Sequence, residues 1–329
     1  MGSNNTIDTA SIQLGADISV FLIGILSILT NGTLLLVTFL DPLKRFNRSS
    51  TCFITSLSFS DFVTGITSCT YAFHAKITSN PLLLWSISIS IWVCVQNSFI
   101  TILLMAVERL LVVKEPLGVR RIITKRRTVL AIAVAWVVSA VSGGATGIPK
   151  PYRTYVKFAI LMEFAVIIVA MLLIYLRMLV LLKQSDRALK GKKFSGSNRQ
   201  QVARKASSTS KAQHNLNRVV FNIGVILVVT VVPHIVVGLT YYSFTLFCPQ
   251  TCGFTPAMRV SYIITFPVEL LHFVLNPIIY AWRLREYRNS LCYYFTGRKA
   301  YELTRHSRSS RSLAPFSGKR KISIENTLM

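Results

Sequence analysis

The sequence is poor in acidic residues and in cysteine. It contains 12 Asp and Glu against 37 Lys and Arg, and six cysteines among 329 residues. Six cysteines are too few for the disulfide framework that stabilises small secreted domains. The shortage of acids leaves a formal net charge of +25. A charge of that size is typical of nucleic-acid-binding proteins, unless its distribution along the chain indicates another origin.

The basic residues are confined to a few segments. Residues 1–40 contain none, and thirty of the 37 lie in four ranges, 41–48, 114–127, 183–218 and 283–329. Apolar runs separate these ranges, which is the positive-inside pattern of membrane proteins. We therefore expect membrane lipid and no nucleic acid among the partners. The same pattern predicts a multi-pass protein of the plasma membrane, with its N-terminus extracellular and its C-terminus cytoplasmic.

Seven apolar runs are each long enough to cross a bilayer, which takes about 20 residues of helix. They cover 18–40, 50–72, 82–113, 128–148, 155–182, 216–245 and 258–282. The predicted fold is an all-α membrane protein, a seven-transmembrane helix bundle over 17–282. Residues 1–16 form its extracellular N-terminus.

Outside the spans, one segment is expected to fold as a helix and others to be disordered or flexible. Apolar residues recur every three or four positions in 283–295, which predicts a short amphipathic eighth helix at the cytoplasmic face. The polar, basic tail 296–329 is expected to be disordered, and 183–215 to be a flexible cytoplasmic loop.

Three kinds of covalent modification are predicted. Asn4 begins a glycosylation sequon on the extracellular side. Cys248 and Cys252 share a short loop in the same oxidising compartment, which favours a disulfide between them. Cys292, near the end of the amphipathic helix, is a candidate for palmitoylation.

Charged residues stand at two notable places in the second and third spans. Asp61 falls near the middle of the second span, and the pair Glu108-Arg109 ends the third. Ionisable residues within a membrane are costly and tend to mark function. We therefore place Arg109 at the cytoplasmic end of the third helix, and expect its surroundings to change when a ligand binds on the far side.

The order of these residues resembles the rhodopsin-like (class A) G-protein-coupled receptors. One motif stands on each span: Asn31, the segment 57–61, Glu108-Arg109-Leu110, Trp136, Tyr175, Pro233 and the segment 276–280. Leu84 replaces the cysteine that usually staples the third span, and the fifth span lacks its usual proline. These departures resemble the melanocortin, cannabinoid, lysophospholipid and adenosine receptor group.

The resemblance implies a receptor that activates a heterotrimeric G protein. In that family the Arg109 position pairs with the acid before it at rest. The sixth span then swings outward about its proline, here Pro233, and the arginine packs against the partner. The remaining switch residues implied are Tyr175, Asn276, Pro277 and Tyr280. Arrestin and receptor kinases are implied as partners of Ser and Thr residues in the third cytoplasmic loop and tail.

Two departures predict notable basal activity. Gln213 or its neighbours stand where many members have an acid that holds the arginine, and glutamine cannot form that ion pair. Leu84 leaves the outer end of the third helix without its disulfide.

An allosteric sodium ion is the one cofactor that the resemblance implies. Asp61, Ser98 and Asn276 match positions of the family's sodium site. His272 replaces an asparagine of that site, so the ligand set is not the usual one.

The family spacing also places an outer ligand pocket. Its predicted residues are Trp92, Gln96, Glu163, His234, Phe266 and Glu269. Two carboxylates facing one pocket favour a cationic ligand. Two alternatives stay open: Glu163 and His234 pair with each other and join the fifth span to the sixth, or His234 senses protons.

A seven-span transporter or channel without G-protein coupling is the alternative function. Transporters are often built from inverted repeats with paired broken helices, whereas the prolines Pro233 and Pro277 stand in adjacent spans. The sequence also shows no metal cluster or nucleophile motif, so we do not expect an enzyme.

Overall fold

The computed structural model describes residues 9–41, 49–73, 80–115, 118–149, 152–191, 199–247, 256–283 and 287–294, with the side chains of 185–220 outside that description. The seven long helices are α1 Thr9–Leu40, α2 Ser49–Ala72, α3 Pro81–Lys114, α4 Lys125–Gly144, α5 Tyr152–Gly191, α6 Arg199–Phe247 and α7 Pro256–Arg283. A shorter helix, α8, covers 287–294. Six of the seven predicted spans lie within these helices. The fourth, 128–148, extends past α4 through the turn Ala145–Gly147.

The ends of α3 show why the helices begin and stop where they do. The Asn80 side chain accepts a hydrogen bond of 3.0 Å from the Leu82 backbone N–H, and Pro81 occupies the first helical position. Asparagine at the cap and proline just inside it are typical helix starts. At the other end, the Glu115 N–H donates to the Leu111 carbonyl.

Six of the seven long helices are apolar enough to cross a membrane by composition alone. The exception, α2, is long enough but contains eleven Ser and Thr among its 24 residues. Several of these hydroxyls donate to a carbonyl one turn earlier, as Thr55 does to Thr51 and Thr64 does to Ser60. Such bonds offset the free-energy cost of leaving a hydroxyl without a hydrogen bond in an apolar environment.

The helices pack in a closed bundle around α3. Consecutive helices touch from α1 to α4 and from α5 to α7, and α7 closes the ring on α1. The third helix contacts α2, α4, α5 and α6. It also has the most buried window of the candidate spans, at 56%. Residues on α3 therefore lie next to four of the six other long helices.

The described outer surface is apolar. Large side chains face outward on several helices, including Leu29, Val141, Val166 and Val229. Val141 is 70% exposed, which would be costly over so wide an area in water. Inside, Leu57, Phe99 and Ile102 are buried. A bundle with an apolar exterior and a mixed interior is a multi-pass membrane protein.

Close helix contacts depend on small residues. A Cβ on Gly143 of α4 would lie 2.6 Å from the backbone nitrogen of Val93 on α3. Only glycine permits that approach, which is a common way to pack membrane helices. Trp136, lower on α4, donates from Nε1 to the Ser56 hydroxyl of α2 at 3.1 Å.

The structure corrects two expectations about the ends of helices. The segment 183–215, predicted as a flexible loop, is helical over 183–191 and again from Arg199. It contains good helix formers and no proline, so α5 and α6 have no reason to stop at the membrane. The N-terminal segment 1–16 is also partly helical, because α1 begins at Thr9.

The outer end of α3 is held despite the absent disulfide. Trp85 Nε1 donates a hydrogen bond of 2.9 Å to the carbonyl of Gly147, in the turn Ala145–Gly147 that follows α4. The helix end that lacks the usual disulfide is therefore held by a hydrogen bond instead. A side-chain hydrogen bond next to Leu84 supplies the connection.

The eighth helix is described from residue 287, and residues 284–286, between it and α7, lie outside the described residues. Its Tyr287 and Ser290 are buried and Tyr294 is exposed, as an amphipathic helix requires. Cys292 lies half-buried on it. Asn4, Cys248, Cys252 and the tail 296–329 lie outside the described residues. We call the end of the bundle that carries α8 and Lys114 the basic end.

Candidate functional site

The basic end of α3 holds a buried ion pair. Arg109 Nη2 lies 2.9 Å from Glu108 Oε2, and each residue is 6% exposed. Charges are seldom buried unless they are paired and hydrogen-bonded. The pair that the sequence placed at this helix end is thus formed in the structure.

Ser50 of α2 completes this site. Its hydroxyl donates a hydrogen bond of 2.8 Å to Glu108 Oε1 and accepts one from Arg109 Nη2. The arginine is therefore held from two sides, by its neighbour on α3 and by α2. No sequence signal identified Ser50, since one hydroxyl among eleven in α2 carries no distinguishing pattern.

The two predicted switch tyrosines are buried near this ion pair. The Tyr280 hydroxyl donates to Met105 Sδ at 3.7 Å, one helical turn from Arg109. Tyr175 packs edge-to-face on Phe221 with ring centroids 6.0 Å apart. A Cβ on Gly224 of α6 would collide with the Tyr175 ring, so that ring lies directly against the α6 backbone.

Asp61 joins three helices in the middle of the bundle. Ser98 of α3 donates to its Oδ1 at 2.5 Å, and Asn276 of α7 donates to its Oδ2 at 3.1 Å. The hydroxyls of Ser98 and Ser60 are 3.0 Å apart. All three residues predicted to surround a sodium ion therefore meet in one fully buried cluster.

Asn31 extends the cluster to α1. Its Nδ2 donates to the Phe273 carbonyl of α7 and to the Ser27 carbonyl, both at 3.0 Å. Ser27 in turn donates to the Asp61 carbonyl at 2.9 Å. The network thus joins α1, α2, α3 and α7. The sequence identified Asn31 and Asp61 and missed Ser27.

The donor set fits a hard cation. A carboxylate, a hydroxyl and an amide are oxygen-bearing ligands, which small hard cations prefer. Both Asp61 oxygens accept hydrogen bonds here, so an ion would require Ser98 and Asn276 to turn their oxygens toward it. His272 places Nδ1 2.5 Å from the Glu269 carbonyl, and its buried Nε2 has no hydrogen-bond partner among the described residues.

A cavity of about 360 Å³ opens at the opposite end of the bundle and is lined by six of the seven long helices. We call this the cavity end. Four of the six predicted pocket residues line it: Trp92, His234, Phe266 and Glu269. Gln96 is buried and Glu163 is half-buried, and neither is among the lining residues. The cavity is also lined by charged and aromatic residues that the sequence did not indicate as pocket residues: Asp17, Lys157, Arg259, Tyr71, Tyr241, Tyr242 and Tyr262.

His234 and Glu269 form a pair at the bottom of the cavity. The distance from His234 Nε2 to Glu269 Oε2 is 3.3 Å, and both side chains are almost fully buried. The partner of His234 is therefore Glu269 of α7, and not Glu163 of α5. The contact joins α6 to α7. His234 therefore does not form the predicted link between the fifth and sixth spans.

Aromatic rings surround the pair. The His234 ring is 4.8 Å from Tyr262 and 5.8 Å from Phe266 between centroids. Tyr241 stacks on Tyr262 at 5.2 Å. Across the cavity, Lys157 Nζ lies 5.7 Å from the centre of the Trp92 ring, within cation–π distance.

Comparison with known proteins gives one family and one fold. The family model of the 7 transmembrane receptor (rhodopsin family) matches residues 30–148. That range contains Asn31, Asp61, Glu108, Arg109 and Trp136. Squid rhodopsin superposes with a TM-score of 0.70 at 15% identity, covering 87% of this chain and 86% of that chain, which shows the same fold.

The curated relatives include three adenosine A2a receptors. The dog protein is 26% identical over 227 residues, which cover 60% of this chain and 52% of the relative. The horse protein is 24% identical over 277 residues, covering 72% and 62%. The human protein is 24% identical over 304 residues, covering 82% and 69%. The match thus spans about half to two thirds of the length of these relatives.

The family model, these relatives and the fold agree with the motifs. Adenosine receptors are part of the receptor group that the departures at Leu84 and in the fifth span resemble. Over residues 30–148 the chain thus matches the model of the rhodopsin-like family of seven-transmembrane receptors, and its fold is that of squid rhodopsin.

Proposed function

We propose that this receptor binds an extracellular ligand in the cavity and activates a heterotrimeric G protein through Glu108-Arg109-Leu110. The observation that carries the proposal is that α3 joins both places. Trp92 lines the cavity and Arg109 forms the buried ion pair on the same helix. Seventeen residues separate them, which is about 25 Å along a helix axis.

The two ends are coupled by the helices that the ligand would touch. His234 and Glu269 join α6 to α7 at the cavity, and α6 continues through Pro233 to the basic end. Proline removes one backbone hydrogen bond and so gives α6 a place to bend. A ligand that binds one arrangement of α6 better than another shifts the population toward it.

Notable basal activity is part of the proposal. Among the side chains that the structure describes, those that bind Arg109 belong to α2 and α3. The described contacts of Arg109 therefore do not hold α6 in place. Gln213, the predicted substitute for the usual acid, lies outside the described side chains.

The test is basal second-messenger output in transfected cells across a panel of G proteins. Arg109→Ala should abolish the output, because the arginine contacts the partner. Arg177→Ala, an exposed arginine on α5, is the matched control and should retain it at equal surface expression. Output equal to that of empty vector for the unmodified receptor would contradict basal activity, and output unaffected by Arg109→Ala would contradict the coupling.

We also propose that a sodium ion binds at Asp61, Ser98 and Asn276 in the resting receptor. The cluster is buried and supplies oxygen ligands. Sodium chloride should raise the melting temperature of the purified receptor more than N-methylglucamine chloride at equal ionic strength. Asp61→Asn should remove the difference. Equal melting temperatures in the two salts would exclude the site.

The proposed setting is the plasma membrane, with the N-terminus outside. Arrestin and receptor kinases would then reach the Ser and Thr residues of the third cytoplasmic loop and the tail. An epitope tag at the N-terminus should be stained on intact cells, and one at the C-terminus only after permeabilisation. The opposite staining would reverse the orientation.

Adenosine is a second candidate ligand, because the A2a relatives carry its name and share 24–26% of aligned residues with this chain. A dose-dependent response to adenosine that Glu269→Gln leaves unchanged would favour adenosine over a cationic ligand that binds at Glu269.

A further inference from the structure

His234 has a partner on each ring nitrogen. Its Nδ1 lies 3.1 Å from the Thr265 hydroxyl, and its Nε2 lies 3.3 Å from the Glu269 carboxyl. A neutral imidazole has one donor and one acceptor nitrogen, whereas a protonated one has two donors. The groups that face Nδ1 and Nε2 therefore determine which of the two ring nitrogens is protonated.

Thr265 fixes the proton on Nδ1. Its single hydroxyl proton points to carbonyls of its own helix, Ser261 at 2.9 Å and Tyr262 at 3.2 Å. A carbonyl can only accept, so the Thr265 hydroxyl is the donor in those contacts. Its oxygen is left to accept, and His234 Nδ1 must donate to it.

The contact at Nε2 then needs one more proton. With Nδ1 protonated, a neutral ring offers Glu269 only a lone pair at Nε2. A buried carboxylate facing a lone pair would be repelled. The contact is favourable when one proton lies between them, on either the carboxyl or the imidazole. The pair His234–Glu269 thus holds one shared proton and has no net charge.

The surroundings suit a positive charge at this place. The rings of Tyr262 and Phe266 flank His234, and Tyr71 packs on Phe266 with centroids 6.4 Å apart. Aromatic faces attract cations, best when water is excluded. Tyr241 and Tyr242 line the same side of the cavity.

The other charged groups around the cavity lie toward its mouth. They are Asp17 of α1, Lys157 of α5 and Arg259 of α7. Arg259 precedes Glu269 by ten residues, which places it about 15 Å nearer the helix start. At that distance Arg259 interacts only weakly with a cation at Glu269.

We propose that the cavity binds an organic cation, whose charge at Glu269 replaces the proton that this carboxyl shares with His234. The proposal rests on the proposed function only in taking the cavity as the ligand site. On binding, the shared proton leaves to water through the cavity mouth, and His234 keeps its Nδ1 proton. One positive charge enters as one leaves: the pair becomes a Glu269 carboxylate beside a neutral His234, and the bound cation neutralises that carboxylate.

The exchange makes affinity depend on pH in a known direction. Protons compete with the cation for Glu269, so raising the pH removes the competitor and strengthens binding. Release of one proton lowers the Kd about tenfold per pH unit where the pair keeps its proton. A neutral ligand releases no proton and shows no such slope.

The experiment measures the melting temperature of the purified full-length receptor with choline and with benzyltrimethylammonium. Both carry a charge that does not titrate. The reference compound is the uncharged carbon isostere of choline, in which a tert-butyl group replaces the trimethylammonium group. We expect the two cations to stabilise the receptor, increasingly between about pH 6 and 8, and the isostere to have no effect.

Two pairs of variants locate the effect. Glu269→Gln should remove cation binding, while Glu163→Gln, whose side chain does not line the cavity, should keep it. Thr265→Val frees His234 to move its proton to Nε2 and bind the carboxylate directly. It should flatten the pH slope without abolishing binding. Thr240→Val, an exposed hydroxyl on α6 that bonds its own helix, should keep the slope.

Several outcomes would overturn the proposal. They are equal stabilisation by the isostere, a Kd that does not vary with pH, stabilisation by neither cation, or a slope unchanged by Thr265→Val. Should Glu269→Gln fail to fold, the Thr265→Val pair still decides. The assay contains no G protein, so its failure leaves the Arg109→Ala result standing, and the reverse also holds.

Discussion

Ser50 of α2 donates a hydrogen bond of 2.8 Å to Glu108 of α3 and accepts one from Arg109. The ion pair expected within one helix is thus a three-residue contact between two helices. It stabilises the arrangement in which Arg109 is turned toward its own acid. Any active arrangement that exposes the arginine must first break these bonds.

Ser50→Ala should therefore raise basal signalling. Removing a hydrogen bond to a charged group costs about 1.5–3 kcal/mol, and 1.4 kcal/mol changes a two-state ratio about tenfold. The measurement is second-messenger output per receptor at the cell surface. Thr55→Ala is the control, because its hydroxyl bonds only within α2 at Thr51. Equal output from both variants would show that Ser50 does not restrain Arg109.

Asn31→Ala should destabilise the whole bundle. The variant leaves the Phe273 carbonyl of α7 without its donor and loosens Ser27, at a cost of about 1–2 kcal/mol. The melting temperature of the purified receptor should fall by roughly 2–4 °C per kcal/mol. Thr33→Ala is matched, since that hydroxyl bonds Leu29 on its own helix. A fall no larger than that of the control would place the energetic link between α1 and α7 elsewhere.

Gly224→Ala should displace the Tyr175 ring. The added methyl group collides with that ring, so the ring must turn away or α5 and α6 must move apart at the basic end. Overpacking of this kind typically costs 1–3 kcal/mol. A lower melting temperature, with altered basal output, is the expected result. Gly144→Ala is the control, because its Cβ would meet nothing within 4 Å. An unchanged receptor would mean that Tyr175 can leave this position freely.

Trp85→Phe should weaken the outer end of α3. It removes the hydrogen bond to Gly147 and keeps an aromatic ring, so a loss of about 1 kcal/mol is expected. Amide hydrogen exchange should become faster in the turn Ala145–Gly147. Tyr155→Phe, an exposed residue at the neighbouring end of α5, should leave that exchange rate unchanged. Slow exchange in the Trp85 variant would assign the stability of the turn to packing alone.

The sequence predicted the seven helices because the bilayer imposes a simple requirement. Each span needs about 20 apolar residues, and its backbone must satisfy its own hydrogen bonds. Those conditions are local and can be recognised without tertiary contacts. They fail only where helices extend beyond the membrane, as α5 and α6 do up to Gly191 and from Arg199.

The sequence also identified the residues whose burial is too costly to be incidental. Asp61, Glu108, Arg109, His234 and Glu269 are polar or charged within apolar runs, and each is buried in the structure. The partners of these residues could not be identified from the sequence. Serine and threonine hydroxyls are common in membrane helices and usually bond their own backbone, so Ser27, Ser50 and Thr265 gave no signal.

The sequence by itself determined the spans, their order and the motifs that resemble those of rhodopsin-like receptors, because hydropathy and residue type act along the chain. Only the tertiary structure decided the partners: Ser50 for Glu108, Phe273 for Asn31, Gly147 for Trp85 and Glu269 for His234. Partners depend on which helix faces meet, and that depends on small residues such as Gly143 and Gly224 that set how closely helices approach.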